Sequence, residues 1–270
     1  MRLSRLAARL AAAAATCAAL ASAHATPVAL ELSLVIDVSG SISSTEYNLQ
    51  RQGYQNAFLD ISVQNAILSH AASGGVAVNV IQFAQNAQQS IGWTLLTDAA
   101  SINTFAAALG GLVRSNTVGA STDIRDGMSL AISSLNTNSY EGTRRVIDVS
   151  GDGHQSAEQT CSGNAPYNIA CGLTQAQRDA AAADAITING LTIESGAYGA
   201  NGLTTWYTTN VKTSDGFVVT ASGFADFERA AIVKIGTEIV GGTVPEPGSL
   251  ALVGLAGLAL GAAKRRRPSA

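Results

Sequence analysis

The stretch LVIDVSGSIS, residues 34–43, decides the fold. It completes a nearly continuous apolar run, ALELSLVIDV at 29–38. Such a run reads as a central strand buried on both faces, as in a parallel sheet. The run stops on Asp37, Ser39 and Ser41, one at every second position, with Gly40 between the serines. Alternate residues of an extended segment point the same way, and glycine lets the backbone turn tightly. One acid and two hydroxyls therefore leave the strand end together. The structural alternative is an Asx or Ser turn that only closes the strand.

Working outward, strand-like and helix-like segments alternate. A helix is expected from about Thr45, because Ser43 and Glu46 form a capping box. Strands follow at 76–84 and 88–96, paired as a hairpin. Residues 101–112 read as a helix ended by glycines, and 122–135 as another. RRVIDVSGDG, 144–153, is a strand running into a Gly-Asp-Gly turn. A helix at 176–186, strands at 187–195 and 216–221, and an amphipathic helix at 224–239 complete the order. In that helix Phe224, Phe227, Ala231, Ile235 and Ile239 lie along one face. The pattern predicts a single α/β domain with a doubly wound, mostly parallel, Rossmann-like sheet flanked by helices.

In such sheets ligands bind beyond the C-terminal strand ends, where the strand order switches. Asp37, Ser39, Ser41, Thr122 and Asp152 are expected to meet at that rim. Two carboxylates and three hydroxyls, with no thiolate, make a hard-oxygen site. That chemistry suits Mg²⁺, with Mn²⁺ or Ca²⁺ as alternatives, rather than zinc or copper. Asp148 lies inside its strand and reads as a structural, hydrogen-bonded acid. Trp93 and Trp206 read as core or groove residues rather than sugar platforms.

These five residues resemble the metal-ion-dependent adhesion site of the von Willebrand factor A domain. The resemblance implies that Ser39, Ser41 and Thr122 supply hydroxyl ligands and that Asp37 and Asp152 act mainly through metal-bound waters. It also implies a partner carboxylate completing the shell, and a last helix, here 224–239, able to shift when the Thr loop tightens. Segments 46–58, 92–106, 144–153, 186–191 and 216–235 resemble an uncharacterised branch of exported bacterial A domains. The text STDIRDGM departs from the pattern: Asp123, Arg125 and Asp126 stand where small residues are common, and Ser121 competes with Thr122 for the ligand role.

The chain ends carry addresses. Residues 1–25 have three arginines, an Ala/Leu run and Ala23-His24-Ala25, the pattern of a secretory signal peptide cut before Thr26. At the other end, Pro245-Glu246-Pro247 precedes 16 apolar or small residues, 248–263, and then Lys264-Arg265-Arg266-Arg267. As a helix the apolar stretch would span about 24 Å, short of a ~30 Å hydrocarbon core, and the basic tail would stay cytoplasmic. The order of parts resembles the PEP-CTERM sorting signal, which implies processing by an exosortase-type protease in a Gram-negative bacterium. The organisation is then a signal peptide at 1–25, an A-type domain at 26–242 and a sorting signal at 243–270. A membrane-anchored precursor would pass transiently through the inner membrane to the cell surface or extracellular matrix.

Of the 16 Lys and Arg, three leave with the signal and four with the tail. The nine that remain face all 19 Asp and Glu, a balance of minus ten. Phosphate-backbone binding needs the opposite sign, which excludes nucleic acid. Cys161 and Cys171 remain after Cys17 is removed. An even count in an exported chain favours a disulfide, with free thiols or a metal site as the alternatives. Both cysteines lie in the loop after Asp152. With His154 and Glu158 that loop is expected to form part of the partner-binding surface.

The sequence has no Gly-x-Ser-x-Gly elbow and no His-Glu-x-x-His. Only His154, Asp123 or Glu158 could serve as a base beside the metal. The expectation is a surface adhesion module, not an enzyme. It would recognise an unknown protein or matrix ligand through the carboxylate that ligand supplies to the cation. The other readings are a structural matrix protein with a purely stabilising metal, and a metal-dependent hydrolase.

Overall fold

The computed structural model describes residues 25–157 and 169–242. Its elements are β1 (Thr26–Asp37), α1 (Ser44–Leu59), α2 (Ile61–Ser69), β2 (Val76–Phe83), β3 (Ala87–Leu96), α3 (Ala99–Gly110), α4 (Ile124–Thr137), β4 (Tyr140–Gly151), α5 (Gly172–Ala183), β5 (Ile186–Ile193), α6 (Gly202–Asn210), β6 (Val218–Ala221) and α7 (Phe227–Val240). The strands form one sheet in the order β3-β2-β1-β4-β5-β6. Every pairing is parallel except β2 with β3, the expected hairpin. The order reverses between β1 and β4, which places a crevice at their C-terminal ends.

Period-two alternation divides the core. Leu30, Leu32, Leu34 and Ile36 point to one face of β1 and pack with Tyr54 and Phe58 of α1, Val63 and Ile67 of α2, Phe105 of α3, and Ile235 and Ile239 of α7. Val35 points the other way. There, with Ile81, Ile147 and Val149, it meets Ile124 and Met128 of α4, Ala181 of α5, and Leu203 and Trp206 of α6. Each such side chain contributes about 1.5–3 kcal/mol on full burial. Doubly covered strands explain why β1 and β2 read as unbroken apolar runs.

Two helices escape the sequence pattern. After α1 the chain breaks at Asp60, whose side chain accepts from the Ser62 N–H and starts α2. Helix α6, GLTTWYTTN, is rich in threonine and poor in propensity, and is held by buried Leu203, Trp206 and Tyr207. Boundaries also move: β1, β4 and α5 start earlier than expected, at Thr26, Tyr140 and Gly172, and β6 starts later, at Val218. Helix α3 starts earlier, because Asp98 and Ser101 form a capping box. Helix α4 starts after Thr122, because Asp123 is its N-cap and accepts from the Asp126 N–H. Phe224 falls in a short 3₁₀ turn ahead of α7.

Gly127 seats the first turn of α4. A Cβ there would lie 2.9 Å from Val35 Cγ1 and 3.0 Å from Phe83 Cγ, both fully buried. Helix propensity alone would favour alanine by about 1 kcal/mol. Overpacking reverses the sign, so Gly127→Ala should lose about 1–3 kcal/mol. A urea midpoint at or above that of the parent would show that α4 is not seated so tightly.

Candidate metal centre

Residues 38–43 leave β1 and turn across the sheet edge. Arg114, in the loop after α3, fixes that turn by donating to the carbonyls of Val38 (2.7 Å), Ser39 (2.7 Å) and Ile42 (2.7 Å). The Gly40 N–H donates to the Ala120 carbonyl at 2.8 Å, and a Cβ at Gly40 would come within 3.3 Å of that oxygen. The hydroxyl loop is thereby set against the loop carrying Thr122.

Thr122 is positioned from a third side. Its N–H donates to Ser156 Oγ at 2.9 Å, and its carbonyl accepts from the N–H groups of Ser156 (2.9 Å) and Ala157 (3.2 Å). Asp123 accepts from Gln155 Nε2 at 2.7 Å and pairs with Arg125 at 2.9 Å. The charges that depart from the family pattern thus cap α4 and bind the loop after Asp152. Ser121 is exposed, whereas Thr122 is buried.

The five expected side chains come together. Thr122 Oγ1 donates to Ser39 Oγ at 3.1 Å, and Ser39 Oγ lies 3.1 Å from Ser41 Oγ. Ser41 Oγ donates to Asp152 Oδ1 at 2.8 Å. The Ser39 N–H donates to Asp37 Oδ1 at 2.8 Å. Asp37 Oδ2 is buried and has no hydrogen-bond partner. Burial first, and then the Asp152 charge, pushes the Asp37 carboxyl up to about 7. Burial also raises Asp152.

This donor set fits a hard divalent cation. Two acids whose ionisation burial holds back, three hydroxyls and one orphaned carboxylate oxygen are what such an ion would satisfy. Among the described residues no three His, Cys, Asp or Glu side chains gather in a soft-metal site. Asp148 stays out of the cluster, as expected. It is not a hydrogen-bonded acid, however: neither of its oxygens accepts a hydrogen bond, and its neighbour is Lys234 of α7.

His154 sits beside the rim. Its Nδ1 lies 3.0 Å from Tyr198 Oη, its ring meets Tyr198 and Trp206 edge-on, and burial lowers its pKa. Glu158 and Cys161 lie outside the described residues. Cys171 is fully buried at the start of α5, where its N–H donates to Asn210 Oδ1 at 2.8 Å. Arg114, Gln155, Ser156 and Tyr207 were not among the expected site residues. No local pattern marks them, because each acts across a turn or from another element. A Cβ at Gly151 would fall 2.9 Å from Asp37 Oδ2 and 2.7 Å from Tyr207 Oη, so Gly151 keeps that space open.

The fold is that of von Willebrand A domains. The mussel byssus proximal thread matrix protein 1, solved with a zinc-occupied MIDAS motif, is 15% identical with a TM-score of 0.53, over 78% of this chain and 46% of that one. The pilus adhesin SpaC of Lactobacillus rhamnosus GG is 15% identical with a TM-score of 0.56, over 79% and 31%. The vWF domain of the type V pili tip protein Mfa5 of Porphyromonas gingivalis is 12% identical with a TM-score of 0.51, over 81% and 98%. At these identities the likeness is one of fold. The chain spans under half the length of the mussel and Lactobacillus chains.

The chain belongs to the family described as "Protein of unknown function (DUF1194)", matched over residues 27–243. A PEP-CTERM protein-sorting motif matches residues 243–267 and marks the protein for export and surface sorting. No curated protein matches the chain. Among the described residues no helix is long and apolar enough to cross a membrane, and 248–263 lies outside them.

Arg114→Ala removes three charge-assisted bonds from the hydroxyl loop. It should lower stability by about 2 kcal/mol, with lysine restoring only part, since its ammonium cannot fork to three carbonyls. An alanine variant with the parent's urea midpoint would show that the loop holds itself.

Proposed function

We propose that the protein is an exported, surface-associated binding module. It recognises a protein or matrix partner through a divalent cation, Mg²⁺ in the first instance, held by Asp37, Ser39, Ser41, Thr122 and Asp152. What carries the reading is the convergence of these five side chains from three loops around an orphaned carboxylate oxygen, with Ser41 on the exposed side of the cluster. The cation would supply a Lewis-acidic coordination point for a partner carboxylate. The chain's own residues hold it in place and leave one side open.

A binding role is favoured over hydrolysis. The two acids face the ion position, and His154, the imidazole beside the rim, is engaged with Tyr198. The neighbours in fold include a matrix protein and pilus proteins by their own descriptions, which supports a surface role. The sorting motif supports a membrane-anchored precursor in a Gram-negative envelope, handed on by an exosortase-type protease.

Calorimetric titration of the purified protein with Mg²⁺, Mn²⁺ and Ca²⁺ tests the reading. Saturable binding is expected in the parent and none in Asp37→Ala. At a hundredfold excess over Kd the ion should stabilise the fold by about 2.7 kcal/mol. Metal-loaded protein should then be retained on cells or exopolysaccharide and released by EDTA. Equal behaviour of parent and variant would reduce the motif to a strand-closing turn.

The loop after Asp152 is assigned to the same surface. Cys171 is disulfide-bonded, and its proposed partner is Cys161, the other cysteine of the exported segment. Closing so short a loop stabilises by about 3 kcal/mol in the entropic model. The double Cys→Ser protein should lose that stability and bind its partner more weakly, because a stiff loop lowers the ordering cost. Unchanged melting and unchanged partner affinity would together remove the role.

A further inference from the structure

A second polar cluster lies inside the protein, on the opposite face of β4 from α4 to α6. Lys234 of α7 is fully buried, as is Asp148 of β4, and Glu238 is 2% exposed. Lys234 Nζ lies 2.6 Å from Asp148 Oδ1 and 2.5 Å from Glu238 Oε1. Asn189 Nδ2 donates to the same Glu238 oxygen at 2.9 Å and fixes it in place. The Phe217 ring lies 6.0 Å from Nζ.

The contact with Asp148 is unlike an ordinary buried ion pair. Neither Asp148 oxygen accepts a hydrogen bond, although the amine nitrogen is 2.6 Å away. The nitrogen therefore approaches the carboxyl off the hydrogen-bonding direction. One amine also faces two buried carboxyls, with the Arg144 guanidinium as the further cation near Glu238. Burial first, and then Asp148, pushes Glu238 up to about 8, so it takes up a proton readily.

We propose that Lys234 and Asp148 become joined, Nζ to Cγ, in an intramolecular isopeptide bond, with Glu238 as the proton carrier. A proton passes from the Lys234 ammonium to Glu238. Nζ attacks Asp148 Cγ and the C–N bond forms. The C–O bond to one carboxyl oxygen breaks, and that oxygen leaves as water. Of the three ammonium protons one stays on the amide nitrogen and two depart in the water, one of them by way of Glu238. No electrons change hands and Glu238 ends as it began. An ammonium and a carboxylate become a neutral amide, which removes two charges from the core. Holding the reacting groups in contact supplies the effective concentration that a free amine and acid lack in solution. The bond ties α7 covalently to the centre of the sheet.

Peptide mapping of the purified, reduced full chain decides it. Trypsin does not cut after an acylated lysine. The peptide that starts at Val146 should therefore be recovered joined to the one that starts at Ala230, uncut after Lys234 and lighter than their sum by one water. Glu238→Gln, which keeps size and polarity but cannot carry the proton, should show a much smaller linked fraction. Recovery of free 230–234 with an unmodified Lys234, from parent protein that unfolds cooperatively, overturns the bond. Full linkage in a folded Glu238→Gln overturns the role given to Glu238.

Discussion

The rim depends on one pairing, that of β1 with β4. The two strands run parallel with Leu34 opposite Asp148 and Ile36 opposite Ser150. Their C-terminal ends therefore arrive together, and Asp37 and Asp152 leave the sheet side by side. A slip of one residue would send every side chain of β1 to the wrong face. Apolar residues cover β1 on both sides, so such a slip would put Ser33 and Asp37 against the helices that Leu34 and Ile36 now face, and turn Leu34 and Ile36 onto the opposite layer. The hydrophobic pattern that fixes the register thereby fixes the site.

The same two strands carry two concentrations of buried charge among the described residues. At the rim, burial first and then the Asp152 charge raise the Asp37 pKa, with Arg114 the weakest of the influences on it, and burial raises Asp152. In the core, Asp148 and Glu238 share one lysine. A buried ion costs several kcal/mol to desolvate, and removing one partner of a buried pair costs about 3–5 kcal/mol. The rim acids are buried next to exposed Ser41, where a cation bound from outside would offset them. The core acids are buried, and Lys234, with Arg144 near Glu238, supplies the compensating charge from the chain itself. Site and core face one electrostatic problem from opposite sides of the surface.

How much was legible in the sequence follows from how local each cause is. Asp37, Ser39 and Ser41 lie within five residues, so their meeting could be read locally, although Ser39 and Ser41 stand in a turn beyond β1 rather than in the extended segment their spacing implied. The Ser43 and Glu46 capping box is equally local and stands where expected. Thr122 and Asp152 needed the wound topology, which alternating strand and helix patterns supply. Arg114 could not be found, because its targets lie more than 70 residues back along the chain. Lys234 was hidden for another reason. Read as one helix, 224–239 shows its apolar stripe clearly, and a lysine beside that stripe looks like a solvated flank. Only the position of Asp148 across the gap shows that it points inward. Helix α6 was missed because burial of Trp206 and Tyr207 overrides threonine's poor propensity.

The anchoring of α7 bears on what the site can transmit. The resemblance drawn from the sequence allows a last helix that shifts when the Thr loop tightens. Here the C-terminal carbonyls of α7 are held from two directions. Arg144 donates to Glu238 O at 2.8 Å and to Ile239 O at 2.5 Å, and His70 Nε2 lies 2.9 Å from Ile239 O. Lys234 binds the middle of the helix to β4. Any slide of α7 must break these contacts and carry a buried amine past apolar neighbours, and a covalent Lys234–Asp148 link forbids it outright. Under the proposed function, a response to a partner would be confined to the rim loops, where Ser156 and Gln155 already brace Thr122 and Asp123. A preorganised rim on an unyielding sheet lowers the ordering cost of binding. That would suit the surface binding module proposed above better than one that signals through its fold.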